Sequence, residues 1–208
     1  HVRSRRQRQM CIRDRLGGGW GAKSREDGVS VTVCINDGDT HNSPTEQLEA
    51  KYPVLVEKYA IRQDSGGAGR YRGGLGAEMI VQALSPFTVT TRIDRVHCKP
   101  WGLEGGGDAA GNGLAVRHKG EWKTDHPNAK IFNVRLERGD AYKMLSGGGG
   151  GFGNPLDREL DLVARDVREG YVSASVAREV YRVALDEKGR VDPQATAALR
   201  SQQGRATC

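Results

Sequence analysis

The sequence lacks most of the features that assign a chain to a class at once. No apolar run approaches the roughly 18 residues that a membrane-crossing helix needs. The opening residues hold no apolar stretch of the secretory kind, so a cytoplasmic location is expected. Cysteine is sparse, and Cys11, Cys34, Cys98 and Cys208 form no CxxC pair and no zinc-ligand spacing. Reduced thiols are therefore expected. There is no Ser/His/Asp nucleophile elbow, no carboxylate pair in an apolar setting, and no glycine loop followed by Lys-Ser/Thr. Those absences argue against a serine hydrolase and against a Walker-type phosphate loop. No helical pattern of about 10–15 residues falls between the strand-like segments, so parallel βαβ winding is not expected.

An excess of one charge is also missing from most of the chain. The formal net charge is +6, but residues 1–15 carry six Arg and one Asp. That leaves 26 Lys+Arg and 25 Asp+Glu in the remainder, a net of +1. The basic arm has no interleaved aromatic residues on which bases could stack, so nucleic acid is not expected as a partner. Residues 1–15 are read as foreign to the fold.

What is present is glycine. It fills 29 of 208 positions, about twice ordinary usage. The glycines are clustered and aperiodic, which excludes collagen and suits a globular chain with many sharp turns. Alternating β-branched residues predict strands over 29–35, 54–62, 76–83, 88–93, 114–118, 131–136 and 141–145. A short helix is expected after residue 43. Asn42 or Ser43 would cap it, Pro44 would take the first helical position, Glu46 would complete a capping box, and Pro53 would stop it. Beyond Pro155 the pattern becomes helical. Leu156, Leu160, Val163 and Val167 mark one face up to Gly170. A second helix starts at Ser173 with Val176, Val180 and Val183 along one side, and a third starts at Asp192-Pro193. The fold class is α+β, a mainly antiparallel β body with glycine-rich loops and a C-terminal helical tail. The expected divisions are 1–15 as a non-native or disordered segment, 16–154 as the β-rich domain, 155–200 as the helical region, and 201–208 as a frayed tail.

Four segments carry candidate chemistry. Residues 147–153, GGGGGFG, contain GxGxxG as Gly148, Gly150 and Gly153. No second strand with an acidic ribose ligand follows, so a tight turn between closely packed backbones is preferred to a nucleotide site. Residues 64–76 set six glycines around Arg70 and Arg72. These arginines either hold a carboxylate or phosphate or pair with local acids. Asp37, Asp39 and His41 are hard-metal ligand types on one loop, with an Asx-rich turn as the alternative. Arg92, Asp94, Arg95, His97 and Cys98 crowd a strand end, either as the rim of a site or as an ion-pair network beside a buried Trp101.

The run INDGDTHNSPTEQLEAKYPVLVEKYAIRQDSGGAGRYRGGLG resembles the hydantoinase B/oxoprolinase family, as do DRVHCKPWGLEGG, SGGGGGFGNPLDR and DVREGYVS. The resemblance covers roughly Gly17 to Leu185. The resemblance implies a part in ATP-dependent hydrolytic opening of a small cyclic amide, a hydantoin or 5-oxoproline. A hydantoinase A-type ATPase subunit would supply ATP and Mg²⁺ and phosphorylate the amide oxygen, making the carbonyl carbon electrophilic. A hetero-oligomer, with no membrane partner, is implied. Family members extend further at the N-terminus, where their His/Asp metal motifs lie. No metal ligand is therefore assigned here, and the divalent metal is expected in that missing part. A fragment inactive on its own follows. Asp39, His41, Asn42 and Glu46 are expected at the catalytic cleft, with Arg70, Arg72, Arg92 and Asp94 as substrate-binding residues. An acetone or acetophenone carboxylase-type subunit and a non-catalytic binding fragment are the alternatives.

Overall fold

A computed structural model describes residues 16–32 and 44–201. In chain order the elements are α1 (Thr45–Lys51), β1 (Val54–Ile61), β2 (Ala77–Ala83), β3 (Phe87–Thr91), β4 (Gly113–His118), β5 (Glu121–Lys123), β6 (Ile131–Leu136), β7 (Ala141–Leu145), α2 (Leu160–Arg168), α3 (Ala174–Glu179) and α4 (Pro193–Ser201). Strands β1-β2-β7-β4-β5 form one antiparallel sheet, and β3 pairs with β6 in a second. The expected α+β class is what the chain adopts.

Period-two burial is clearest in β2. In β2 every second residue is buried, which sends Met79, Val81 and Ala83 inward. They join Val54, Leu114, Val116 and Tyr142 of the same sheet. Val89, Ile131 and Leu136 of the second sheet and Leu48 of α1 complete this core. Each fully buried Val or Leu contributes on the order of 1.5–3 kcal/mol, so the two sheets close over one another. A second core of Val163, Val172, Ala177, Tyr181 and Val183 organises the C-terminal region.

Several local expectations are corrected. Strand β5 was not expected, because Glu121-Trp122-Lys123 is only three residues long. It pairs with β4 because Lys119 and Gly120 both take positive φ, 50° and 89°, which folds a two-residue hairpin. The described part of the predicted strand over 29–35 is not a strand. Val31 has φ 48°, and only Thr32 makes a bridge, to Gly18. Helix α1 begins one residue later than expected, because Pro44 keeps ψ at 145° and only its carbonyl joins the helix, accepting the Leu48 amide. The capping residues Asn42 and Ser43 lie outside the described residues. Tyr52 is extended, as a residue before proline tends to be. Leu156 falls in a separate 3₁₀ turn capped by Asn154, and Arg158 is extended before α2 begins. Helix α3 stops at Glu179, so Val180 is exposed while Val183, beyond the helix, is buried.

The glycine clusters are not turns. At the sheet end where β1 and β7 finish and β2 and β4 start, extended segments pack side by side as a bundle of rods. Residues 147–151 are the central rod. Its carbonyls at 147 and 150 accept the amides of Gly19 and Ala22. Its amides at 148 and 151 donate to Ala110 and Gly107, and the 149 amide donates to Gly74. The Gly149 carbonyl accepts from Gly67, and the Gly151 carbonyl accepts from Leu103. Groups three residues apart thus reach the same neighbour, the period of a three-residue-per-turn extended helix, whereas a β-strand bonds to two sides only. The neighbouring backbones leave no room for side chains on the rod. A methyl group on Gly149 would lie 1.9 Å from the Trp20 carbonyl oxygen, and one on Gly150 1.9 Å from that of Trp101.

Candidate functional site

The GxGxxG match offers no phosphate cradle. The amides of Gly147, Gly148, Gly149, Gly151, Phe152 and Gly153 all donate within the protein, whereas a phosphate loop needs several of them free. The expected close backbone packing is found, but in an extended rod. Among the described residues no group of three or more His, Cys, Asp or Glu could hold a metal ion. Neither ATP nor a metal is therefore assigned to these residues.

A cleft of ≈ 450 Å³ opens against the central rod, lined by Gly18, Gly19, Gly21, Arg95, Pro100, Trp101, Asn112 and residues 147–150. Its floor is bare backbone, because the rod cannot carry side chains. Asn112 ties the wall to the floor. Its amide nitrogens donate to the Arg95 and Asp94 carbonyls, and its side-chain oxygen accepts from the Gly147 amide. Trp101 was expected to be buried, but it is 67% exposed. Its segment is held by backbone bonds at either side, from Ala109 to the Pro100 carbonyl and from Leu103 to that of Gly151.

The expected substrate-binding residues divide. Arg72 is buried, and its guanidinium is committed to Asp166 (3.3 Å) and the Gly73 carbonyl and lies over the Tyr171 ring. Pairing with acids describes it, although Asp166 is remote in sequence and not local. Arg70 is exposed over Tyr71. Arg92 and Asp94 are exposed and do not line the cleft. Asp94 pairs with Lys130 at 2.9 Å, and that hydrogen bond and charge hold its carboxyl below the ordinary carboxylate range. Glu46 is exposed on α1. That helix packs at the Val54 end of β1, where Glu49 accepts the Val56 amide. The cleft lies beyond the Ile61 end. Asp39, His41 and Asn42 lie outside the described residues.

Sequence reasoning missed the charged cluster that fastens the helical region to the rods. Arg158, fully buried, grips Asp27 with two bonds of 2.7 Å and reaches Asp166 at 2.7 Å. Arg72 adds its guanidinium to Asp166 and its backbone amide to Asp27. Burial alone would raise the Asp27 carboxyl, but Arg158 and Arg72 outweigh it and hold it below its usual value. Beside them Tyr181 is pushed up to about 12, mainly by burial. These partners come from positions far apart in the chain, and no spacing signals them. Asn112 had no sequence signal either, and Arg95 had only the density of polar residues around it.

A family model for hydantoinase B/oxoprolinase matches residues 1–155. The chain belongs to the hydantoinase B/oxoprolinase family. Within that family it is 35% identical over 162 residues to caprolactamase subunit beta of Pseudomonas jessenii, covering 75% of this chain and 27% of that protein. Two solved structures share the fold. Nucleotide-free acetone carboxylase superposes with a TM-score of 0.77 at 28% identity, over 91% of this chain and 30% of that one. The ATP-dependent caprolactamase of Pseudomonas jessenii superposes with a TM-score of 0.74 at 29% identity, over 89% and 33%. The chain thus spans about a third of the length of these family members. Among the described residues no helix is long and apolar enough to cross a membrane.

Proposed function

We propose that this chain is the rod-and-helix portion of a hydantoinase B-type subunit that takes part in ATP-dependent hydrolytic opening of a cyclic amide. A hydantoinase A-type ATPase subunit, with ATP and Mg²⁺, is the partner in this reading, and the active assembly is a hetero-oligomer. The observation that carries it is the cleft, a small-molecule-sized recess on a scaffold shared with an ATP-dependent caprolactamase. Caprolactam is itself a cyclic amide. An unstrained lactam resists water. Phosphorylation of its oxygen elsewhere in the assembly would leave this portion to hold the ring while water adds.

In this reading Asp39, His41 and Asn42 are catalytic residues. Glu46 and Arg70 are kept as residues facing a partner, because both are exposed. Arg92 and Asp94 flank the Arg95 wall and shape it. Residues 16–154 and 155–200 act as one piece here, because the Arg158 cluster bridges them.

The test is co-expression with an A-type subunit, followed by assay of 5-oxoproline, hydantoin and caprolactam with ATP and Mg²⁺. ATP-dependent ring opening by the pair, and none by this chain alone, is expected. Incorporation of labelled bicarbonate into a ketone in place of ring opening would replace the hydrolase reading by the carboxylase one. Ring opening by the isolated chain would refute the division of labour.

A further inference from the structure

The central rod regains a side chain only at its end, at Phe152. The backbone here is a short ladder. Tyr71 and Phe152 exchange both amide–carbonyl bonds, and Leu103 bridges Phe152 from the other side through the Gly151 carbonyl and the Gly153 amide. Opposed residues in a ladder stand on one face, so Tyr71, Phe152 and Leu103 form a single apolar row. Directly after Leu103 the chain reverses. Glu104 and Gly105 take φ 52° and 86°, and the Gly106 amide donates to the Leu103 carbonyl.

The row is open to solvent. Leu103 is 55% exposed, and Tyr71 and Phe152 are half-buried. Trp101, two residues before Leu103, carries the exposed apolar surface on to the cleft that it lines. Charged groups stand at the ends of the row. Arg70 lies over the Tyr71 ring at 5.6 Å, and Glu104, next to Leu103 in sequence, is exposed. An apolar, aromatic centre with charge at its rim is the composition of a permanent protein interface. The ladder fixes that surface before any partner arrives.

We infer that this row is the face on which the remainder of a hydantoinase B-type subunit packs. The length of the relatives points to that occupant. The matches to caprolactamase subunit beta and to the acetone carboxylase and caprolactamase structures take in 75%, 91% and 89% of this chain, but 27%, 30% and 33% of theirs. Two thirds or more of each relative therefore lies outside the matched part. It is joined to that part covalently, and so is held at high effective concentration against its surface. Trp101 belongs to both the row and the cleft, so a remainder seated on the row borders the cleft. The inference rests on reading this chain as one portion of a B-type subunit. It holds for ring opening and for ketone carboxylation alike.

Maleimide labelling, read at residue 103 by mass spectrometry, tests it in two proteins. One is the full 208-residue chain carrying Leu103→Cys. The other is a hybrid in which that chain replaces the matched part of caprolactamase subunit beta of Pseudomonas jessenii. Labelling is expected to be at least about tenfold slower in the hybrid. Phe132→Cys, at a site 79% exposed on β6, should react alike in both. Equal rates at residue 103, or slowing shared by residue 132, overturn the assignment. Protection already present in the isolated chain, with a dimer in sedimentation velocity, overturns it in favour of a second copy. Protection that appears only when an A-type subunit is added overturns it in favour of that subunit. The intact caprolactamase subunit beta, with cysteine at the position aligned with Leu103, needs no hybrid to fold, and rapid labelling there overturns the assignment as well. Assay of the hybrid with an A-type subunit, ATP and caprolactam separates the two readings. Protection without ring opening keeps the docking face and discards the cyclic-amide function; ring opening with residue 103 still reactive does the reverse.

Discussion

Replacing Arg158 by methionine should detach the helical region from the rods. The side chain is fully buried and makes four bonds, two to Asp27, one to Asp166 and one to the Arg70 carbonyl. With Arg72 the cluster holds two cations and two carboxylates and is neutral as a whole. Methionine fills most of the volume but leaves two carboxylates to one arginine, with Asp166 wholly enclosed. Breaking a buried pair from one side costs about 3–5 kcal/mol, roughly a fifth or more of a typical domain's stability of about 5–15 kcal/mol. With a urea m-value of about 2–3 kcal/mol/M, the midpoint should fall by roughly 1–2.5 M. Adding Asp166→Asn to Arg158→Met restores the charge balance and should recover part of the loss, a coupling that a double-mutant cycle reads directly. The pH dependence has a fixed sign. Asp27 titrates below its ordinary 3.8 in the folded protein, so its contribution is present above that value and is lost as pH falls through the lower folded value. The gap between wild type and Arg158→Met should therefore narrow in acid. A midpoint shift below about 0.5 M at neutral pH would show that the cluster does not hold the two regions together.

The rods make a second, graded prediction. Gly149→Ala meets the Trp20 carbonyl at 1.9 Å, whereas the nearest atom to a methyl group on Gly21 is 3.9 Å away. Gly149→Ala should cost more than the roughly 1–3 kcal/mol of ordinary overpacking, and Gly21→Ala should stay within about 0.5 kcal/mol of wild type, both read by thermal unfolding. Equal effects would mean that the rods are not packed backbone to backbone. Tyr181 gives the third. Its phenol titrates near 12 in the folded state, above an ordinary 10.0, so its stabilising share is complete below pH 10.0 and disappears as pH rises through about 12. In tyrosinate absorbance at 295 nm, Tyr181→Phe should remove a transition near pH 12. Loss of an earlier one would place Tyr181 outside the buried cluster.

The sequence by itself determined what depends on near neighbours. Alternating β-branched residues located six of the seven strands, and the missing one, β5, is a three-residue strand that a two-residue hairpin folds back onto β4. Ser173 and Asp192 marked two helix starts because capping is a local hydrogen bond, here to the amides of Val176 and Ala195. Only tertiary structure decided the rest. A five-glycine run is compatible with a turn, a phosphate loop or a rod. It is a rod because five other segments arrive around it and use its amides and carbonyls. Arg72 and Arg95 are both arginines beside glycines or polar residues, and nothing in their flanks separates them. Asp166 lies 94 residues from Arg72 and fixes it in a structural cluster, whereas Arg95 has no carboxylate partner among the described residues and lines the cleft. Charge compensation acts through space, so which arginine is buried in an ion pair and which lines the cleft was fixed by the segments that the fold brings together.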